Sequence, residues 1–201
     1  MSKPPQGVRY GEVDRETKET KIQLVLDLDS GRKVNVSTGI GFFDHMLTLF
    51  AYHAGIGLGI TAEGDYGVDD HHTVEDVGIC LGMALKKALH ETGGIERYGQ
   101  WLLPMDEALV MVALDISGRG VLGFDVEWKR EKLGSLATEN VREFLRAFTS
   151  QAGVTLHVRK LAGENDHHVC EAIFKGLGRA LKMAIEPNGQ PDANSTKGVI
   201  G

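Results

Sequence analysis

The residues richest in chemistry are two histidine pairs. Asp70-His71-His72-Thr73-Val74-Glu75-Asp76 returns 96 positions later as Asp166-His167-His168-Val169-Cys170-Glu171-Ala172. Residues four apart on a helix share a face, so His71 lies with Glu75 and His167 with Glu171. The second histidine of each pair is turned by roughly 100° and serves a different place. Each copy thus offers one His/Glu pair and one lone His. In a first helical turn, directly after an aspartate cap, the helix dipole disfavours imidazolium and keeps the rings in the neutral, metal-binding form. One such pair alone reads as exposed polar residues at a helix start. Two in the same D-H-H-x-x-E frame, in a chain with eight histidines, point to metal. Imidazole with carboxylate suits Mn, Fe, Co, Ni or Zn, whereas Ca and Mg prefer all-oxygen sites. The lack of thiolate ligands argues against structural zinc.

The elements that must hold these residues repeat as well. Ala54-Gly55-Ile56 matches Ala152-Gly153-Val154, 98 positions on. In the first copy, 22–28 and 33–36 alternate like strands, 43–53 is an apolar helix and 56–63 a strand. A helix capped by Asp70 runs to about residue 90 and ends at Gly93-Gly94. In the second copy, 108–116 and 121–126 read as strands, 138–151 as a helix capped by Thr138, and 154–161 as a strand. A last helix, capped by Asp166, runs to about 185 and is ended by Pro187. The predicted architecture is α+β: an internal duplication of a strand–helix–strand–helix unit, giving two sheets each covered on one face by two helices. The first repeat spans 1–95 and the second 96–186. A tail, 187–201, is rich in Pro, Asn, Gly and Ser and reads as extended.

Composition narrows the function. The 201-residue chain has a net charge of −6, which gives no support to nucleic-acid binding. No apolar run is long enough to span a membrane, and residues 1–10 lack the core of a signal peptide, so a cytoplasmic protein is expected. Cys80 and Cys170 sit in apolar helical patterns and read as buried thiols. Gly55, Gly57 and Gly59 lack the spacing of a dinucleotide fingerprint, and no Walker A or G-x-S-x-G sequence occurs.

Five segments together resemble one family. Gly41-Phe42-Phe43-Asp44-His45-Met46-Leu47, the two His-His segments, Ser117-Gly118-Arg119-Gly120 and Ser195-Thr196-Lys197-Gly198 are similar to imidazoleglycerol-phosphate dehydratases, in order along nearly the whole chain. The resemblance implies the fold class of the second domain of ribosomal protein S5, and a monofunctional enzyme without the phosphatase domain of some bacterial relatives. It implies two Mn²⁺ per chain, other divalent transition metals being compatible. One centre would use His45, His72, His167 and Glu171. The other would use His71, Glu75, His168 and the counterpart of His45, which here is Glu143 where the family often has His. Both centres would draw on neighbouring subunits, in a shell of twenty-four built from trimers.

The family's reaction removes water from imidazole glycerol phosphate to give imidazole acetol phosphate in histidine biosynthesis. The hydrogen to be lost is not next to a carbonyl and is weakly acidic. An anionic imidazole ring can expel the adjacent hydroxyl, after which that hydrogen becomes acidic and a carboxylate removes it; Glu171 and Glu19 are the candidates. The resemblance places His45, His53, His71 and His167 by the substrate with Glu19, and Arg97, Arg119, Lys175, Ser195 and Lys197 on its phosphate. Arg119, between two glycines, also suits an anion on chemistry alone. Asp106 either orients a site group or caps a turn. His90 and His157 read as structural. Two other classes compete: a dinuclear phosphoesterase, which would show Asp-rich loop motifs absent here, and a non-catalytic metal-binding protein, which would not need the Arg119 loop.

Overall fold

A computed structural model describes residues 9–89 and 94–189. The first unit contains β1 (Tyr10–Glu16), β2 (Thr20–Asp27), β3 (Val34–Ser37), α1 (Gly41–Ala54), β4 (Gly57–Gly64) and α2 (His71–Leu89). The second contains β5 (Tyr98–Met105), β6 (Ala108–Asp115), β7 (Val121–Asp125), α3 (Thr138–Ala152), β10 (Thr155–Ala162) and α4 (Asp166–Ala184). A short ribbon, β8 (Lys132–Leu133) with β9 (Leu136–Ala137), leads into α3. The sheets have the same order, β1-β2-β4-β3 and β5-β6-β10-β7, so the duplication extends to topology. In each, the last-named strand is parallel to its neighbour and the other pairs are antiparallel.

Alternation explains the sheets. Ile22, Leu24 and Leu26 of β2, and Ala108, Val110, Val112 and Leu114 of β6, point into the core while their neighbours face outward. The helices α1 and α3 both end at a left-handed glycine, Gly55 and Gly153, with φ of 75° and 68°. The helices then pair across the two halves: α1 lies along α4 and α2 along α3. Phe144 of α3 closes the centre, edge-on to Phe43 of α1 and stacked on Phe174 of α4.

Three sequence expectations need correction. Strands β1 and β5 were not anticipated. Both are edge strands, where the charged alternation of β1 and Pro104 in β5 are tolerated. Asp70 and Asp166 do not cap the helices that follow them. The caps are made by Asp69 and Asn165, whose side chains accept the N–H groups of His71 and His167. Buried Asp70 and Asp166 instead accept backbone N–H groups of the 129–137 segment, Ala137 for the first and Lys129 and Arg130 for the second. Thr138 is not a cap either; its hydroxyl donates to the carbonyls of Arg130 and Glu131.

The helix pairs approach closely enough to require glycine. A Cβ on Gly82 would lie 2.5 Å from the carbonyl oxygen of Phe148, and one on Gly178 would lie 2.4 Å from that of Phe50. These positions are equivalents in the two units. Gly178→Ala is therefore expected to destabilise by about 1–3 kcal/mol through overpacking, although Ala favours helix over Gly by about 1 kcal/mol. Gly41→Ala, which meets nothing within 4 Å, is the control and should be neutral or slightly stabilising. Urea unfolding midpoints of both variants check this.

Candidate metal centre

The α1–α4 pair brings three expected donors together. His45 projects from α1, and His167 and Glu171 are one turn apart on α4. Nε2 of His45 is 3.0 Å and Nε2 of His167 3.2 Å from Oε1 of Glu171. The three donor atoms lie within 4.8 Å of one another. Phe42 packs edge-on against the His167 ring. The other Glu171 oxygen accepts a 2.5 Å hydrogen bond from Lys175, one further turn along. Burial opposes ionisation of Glu171, but Lys175 and the two imidazoles outweigh it and hold the carboxyl down to about 2. This carboxylate is ionised at any physiological pH.

The α2–α3 pair carries the corresponding residues, but their donor atoms do not converge as those of the first group do. His71 Nε2 is 4.0 Å from Glu75 on the same face, and Glu143 comes from α3. Arg146 bridges the carboxylates, 3.0 Å from Glu75 and 2.6 Å from Glu143. Glu143 thus stands at the equivalent of His45, beside the group it was expected to join, with an arginine between it and Glu75. His71 is also held through Nδ1 by Asn140, at 2.9 Å.

Each remaining histidine turns away, as the helix geometry requires. His72 faces Asp65 at 3.0 Å and Glu19 at 3.9 Å. His168 faces Glu107 at 2.7 Å and Asp106 at 3.7 Å. The helix dipole does not set their pKa alone. Hydrogen bonds to Asp65 and Glu107 raise the two imidazoles above their ordinary value, so adjacent carboxylates override the helix dipole. Glu107 in turn is held down to about 2, by His168 first and by backbone N–H groups of Asn165, Glu107 and Glu164. Glu19 lies in the β1–β2 turn. Thr17 ties that turn internally, and Arg15 and Thr20 bind it to buried Asp76 of α2.

The cations fall into two places. Arg97 and Arg119 flank the end of β6. Arg97 grips Asp115 through two bonds, of 2.7 and 3.1 Å. Asp115 pairs in register with Thr155, whose hydroxyl meets Ser117 and the Arg119 carbonyl. The Arg119 side chain is exposed. A hollow of about 470 Å³ lies alongside, lined by Tyr98, Asp115, Thr155, His157 and Met183 among others. Lys175 is elsewhere, with Glu171. His53, near the end of α1, has its pKa lowered by burial and then by the charges of Lys175, Arg179 and Arg32. His157 stands on the outer face of β10, while His90, Ser195 and Lys197 lie outside the described residues. Asp65, Glu107 and Asn140 contact the site without having been singled out from sequence; each is an ordinary polar residue in a loop or helix, and only the fold brings it to a histidine. Arg146 is the partner that the charged run of α3 offers Glu143, an alternative to metal binding that helical spacing already allows.

Residues 38–181 match the family model described as imidazoleglycerol-phosphate dehydratase. The chain belongs to this family. It is 58% identical over 176 residues to the imidazoleglycerol-phosphate dehydratase of Caldicellulosiruptor saccharolyticus, covering 88% of this chain and 91% of that protein. It is 54% identical over 196 residues to that of Azorhizobium caulinodans, covering 96% and 100%. The crystal structure of the Staphylococcus aureus dehydratase superposes with a TM-score of 0.82 at 39% identity, over 89% of this chain and 99% of that one. The Pyrococcus furiosus enzyme, solved in complex with (S)-C348, gives 0.81 at 40% identity, over 93% and 99%. The dehydratase family is thus matched in sequence and fold.

Proposed function

We propose that this chain dehydrates imidazole glycerol phosphate to imidazole acetol phosphate, the family's hydro-lyase reaction in histidine biosynthesis, at two metal centres. The observation that carries the reading is the convergence of His45, His167 and Glu171 in a chain of this family. Two imidazoles and a carboxylate fit a divalent transition ion, and two Mn²⁺ per chain is the proposed loading. When bound, these cations stabilise the anionic form of the substrate's imidazole.

His45, His167 and Glu171 hold the first ion and His71, Glu75 and Glu143 the second. Among the described residues, neither group has a fourth donor beside it, while His72 and His168 stand apart with carboxylates of their own. A second copy supplies His72 to the first centre and another supplies His168 to the second. This complementarity supports self-association into the shell of twenty-four built from trimers. Glu171, held ionised, is a strong ligand and a weak base. Glu19, on an exposed turn fixed to α2, is the carboxylate suited to remove the carbon-bound hydrogen. Arg97 and Arg119 of one copy hold the phosphate with Lys175 of another and with Ser195 and Lys197, and Asp115 orients the Arg97 fork.

Protein reloaded with Mn²⁺ should convert imidazole glycerol phosphate to the ketone product, and no turnover by fully loaded protein would refute the assignment. Arg119→Ala should keep its metal but lose on the order of 10–100-fold in kcat/KM, the worth of a charge-assisted phosphate contact. Metal analysis and kinetics on one preparation decide this, and unchanged kinetics would remove Arg119 from the site.

Thorough chelation should break the shell into smaller species, trimers foremost, and Mn²⁺ should restore it, because a ligand shared between copies links assembly to metal. Light scattering that finds the full shell in verified metal-free protein would count against shared ligands.

Glu143→Ala should reduce loading from about two ions per chain to about one, the count implied by two helix-borne groups. Glu143→His should keep both. Retention of both ions by Glu143→Ala would leave Glu143 as only a partner of Arg146.

A further inference from the structure

An imidazole is a good metal ligand only when its ring is aimed and its second nitrogen is protonated and held. Three of the site histidines have that second nitrogen occupied, and it is the same atom each time. Nδ1–H of His168 donates to Glu107 at 2.7 Å, Nδ1–H of His72 to Asp65 at 3.0 Å, and Nδ1–H of His71 to Asn140 at 2.9 Å. The opposite atom, Nε2, is the one that His45 and His167 aim at Glu171 and that His71 turns toward Glu75.

None of the three holding groups sits on the helix that carries its histidine. Asp65 lies in the loop after β4, Glu107 in the β5–β6 turn, and Asn140 on α3, where it is buried. Glu107 is the most firmly built. One of its oxygens accepts the backbone N–H groups of Asn165, at 2.8 Å, and Glu164, at 3.3 Å, immediately before α4. Its other oxygen takes His168. The carboxylate is therefore registered on the helix start that bears the histidine, which an opportunistic surface pair would not need.

We infer that Glu107, Asp65 and Asn140 are positioning residues that hold Nδ1–H of His168, His72 and His71 and so present Nε2 of each ring as the metal donor. This rests on the two-metal reading above. The consequence is a fixed tautomer set before any ion arrives. Free neutral imidazole favours the Nε2–H form, so the protein must impose the opposite one.

The test uses the full chain. In chelated protein, at a pH above the His168 pKa, nitrogen-15 ring shifts should report protonated Nδ1 in wild type and a switch toward Nε2–H in Glu107→Ala. In Mn²⁺ titrations against a chromophoric chelator, Glu107→Ala should weaken one of the two sites by on the order of 10–100-fold and spare the other. Glu107→Gln, whose amide oxygen still accepts from Nδ1–H, should recover part of that loss. If Glu107→Ala melts early in chelated form, Asp65→Ala carries the same test to His72. Wild-type affinity at both sites in Glu107→Ala and Asp65→Ala, or an Nε2–H ring in the wild type, would overturn the inference. Wild type that shows the Nδ1–H tautomer yet binds no Mn²⁺ would instead sink the metal reading on which it rests.

Discussion

The distance between helices of opposite halves is the constraint on which the rest of this molecule depends. Every proposed donor group combines a helix from one repeat with a helix from the other: α1 with α4, α3 with α2. His45 reaches Glu171 at 3.0 Å only because the two backbones come close, and Gly178 permits this where a methyl group would strike the Phe50 carbonyl. Gly82 does the same against Phe148. Packed interiors do not deform continuously. A spacing set by backbone contact therefore fixes the donors more firmly than long side chains could.

Charge is arranged on that frame by pairing each carboxylate before it can repel its neighbours. Glu171 has Lys175, Glu75 and Glu143 share Arg146, and buried Asp76 has Arg15 and Thr20. Asp70 and Asp166 spend their charge on backbone N–H groups of the segment leading into α3. The aspartate that opens each D-H-H run thus acts at long range. It ties the start of a histidine-bearing helix to the 129–137 segment, and so couples both histidine pairs to the same stretch of chain.

What could be read from residue order follows from which signals are local. Helical spacing alone separated His71 and His167 from His72 and His168, because the 100° step between neighbours is a property of any α-helix. Repeat offsets placed Glu143 at the equivalent of His45, and it does stand beside Glu75 through Arg146. Edge strands β1 and β5 escaped notice because solvent on one side removes the apolar alternation that marks a central strand. The caps were misplaced by one residue, since Asp69 and Asp70 are chemically alike and only tertiary contacts distinguish them. Asp65, Glu107 and Asn140 reach their histidines from other elements, so no window along the chain contains both members of a pair.

The two repeats have also drifted in a way that bears on chemistry. Lys175 corresponds to Ile79 and Arg146 to Thr48, so the cation beside each carboxylate has moved from one helix of the pair to the other. Where the α1–α4 group has His45, the α2–α3 group has a second carboxylate, Glu143. The first group then carries one carboxylate balanced by one lysine, and the second carries two sharing one arginine. Two carboxylates held near each other without a cation would raise one another's pKa and protonate. A bidentate guanidinium can serve both at once, which a single ammonium does poorly. Arg146 thus offsets the negative charge that Glu143 adds beside Glu75. A metal ion at this position would compete with that arginine for the same oxygens, in a group that carries more negative charge than its α1–α4 counterpart.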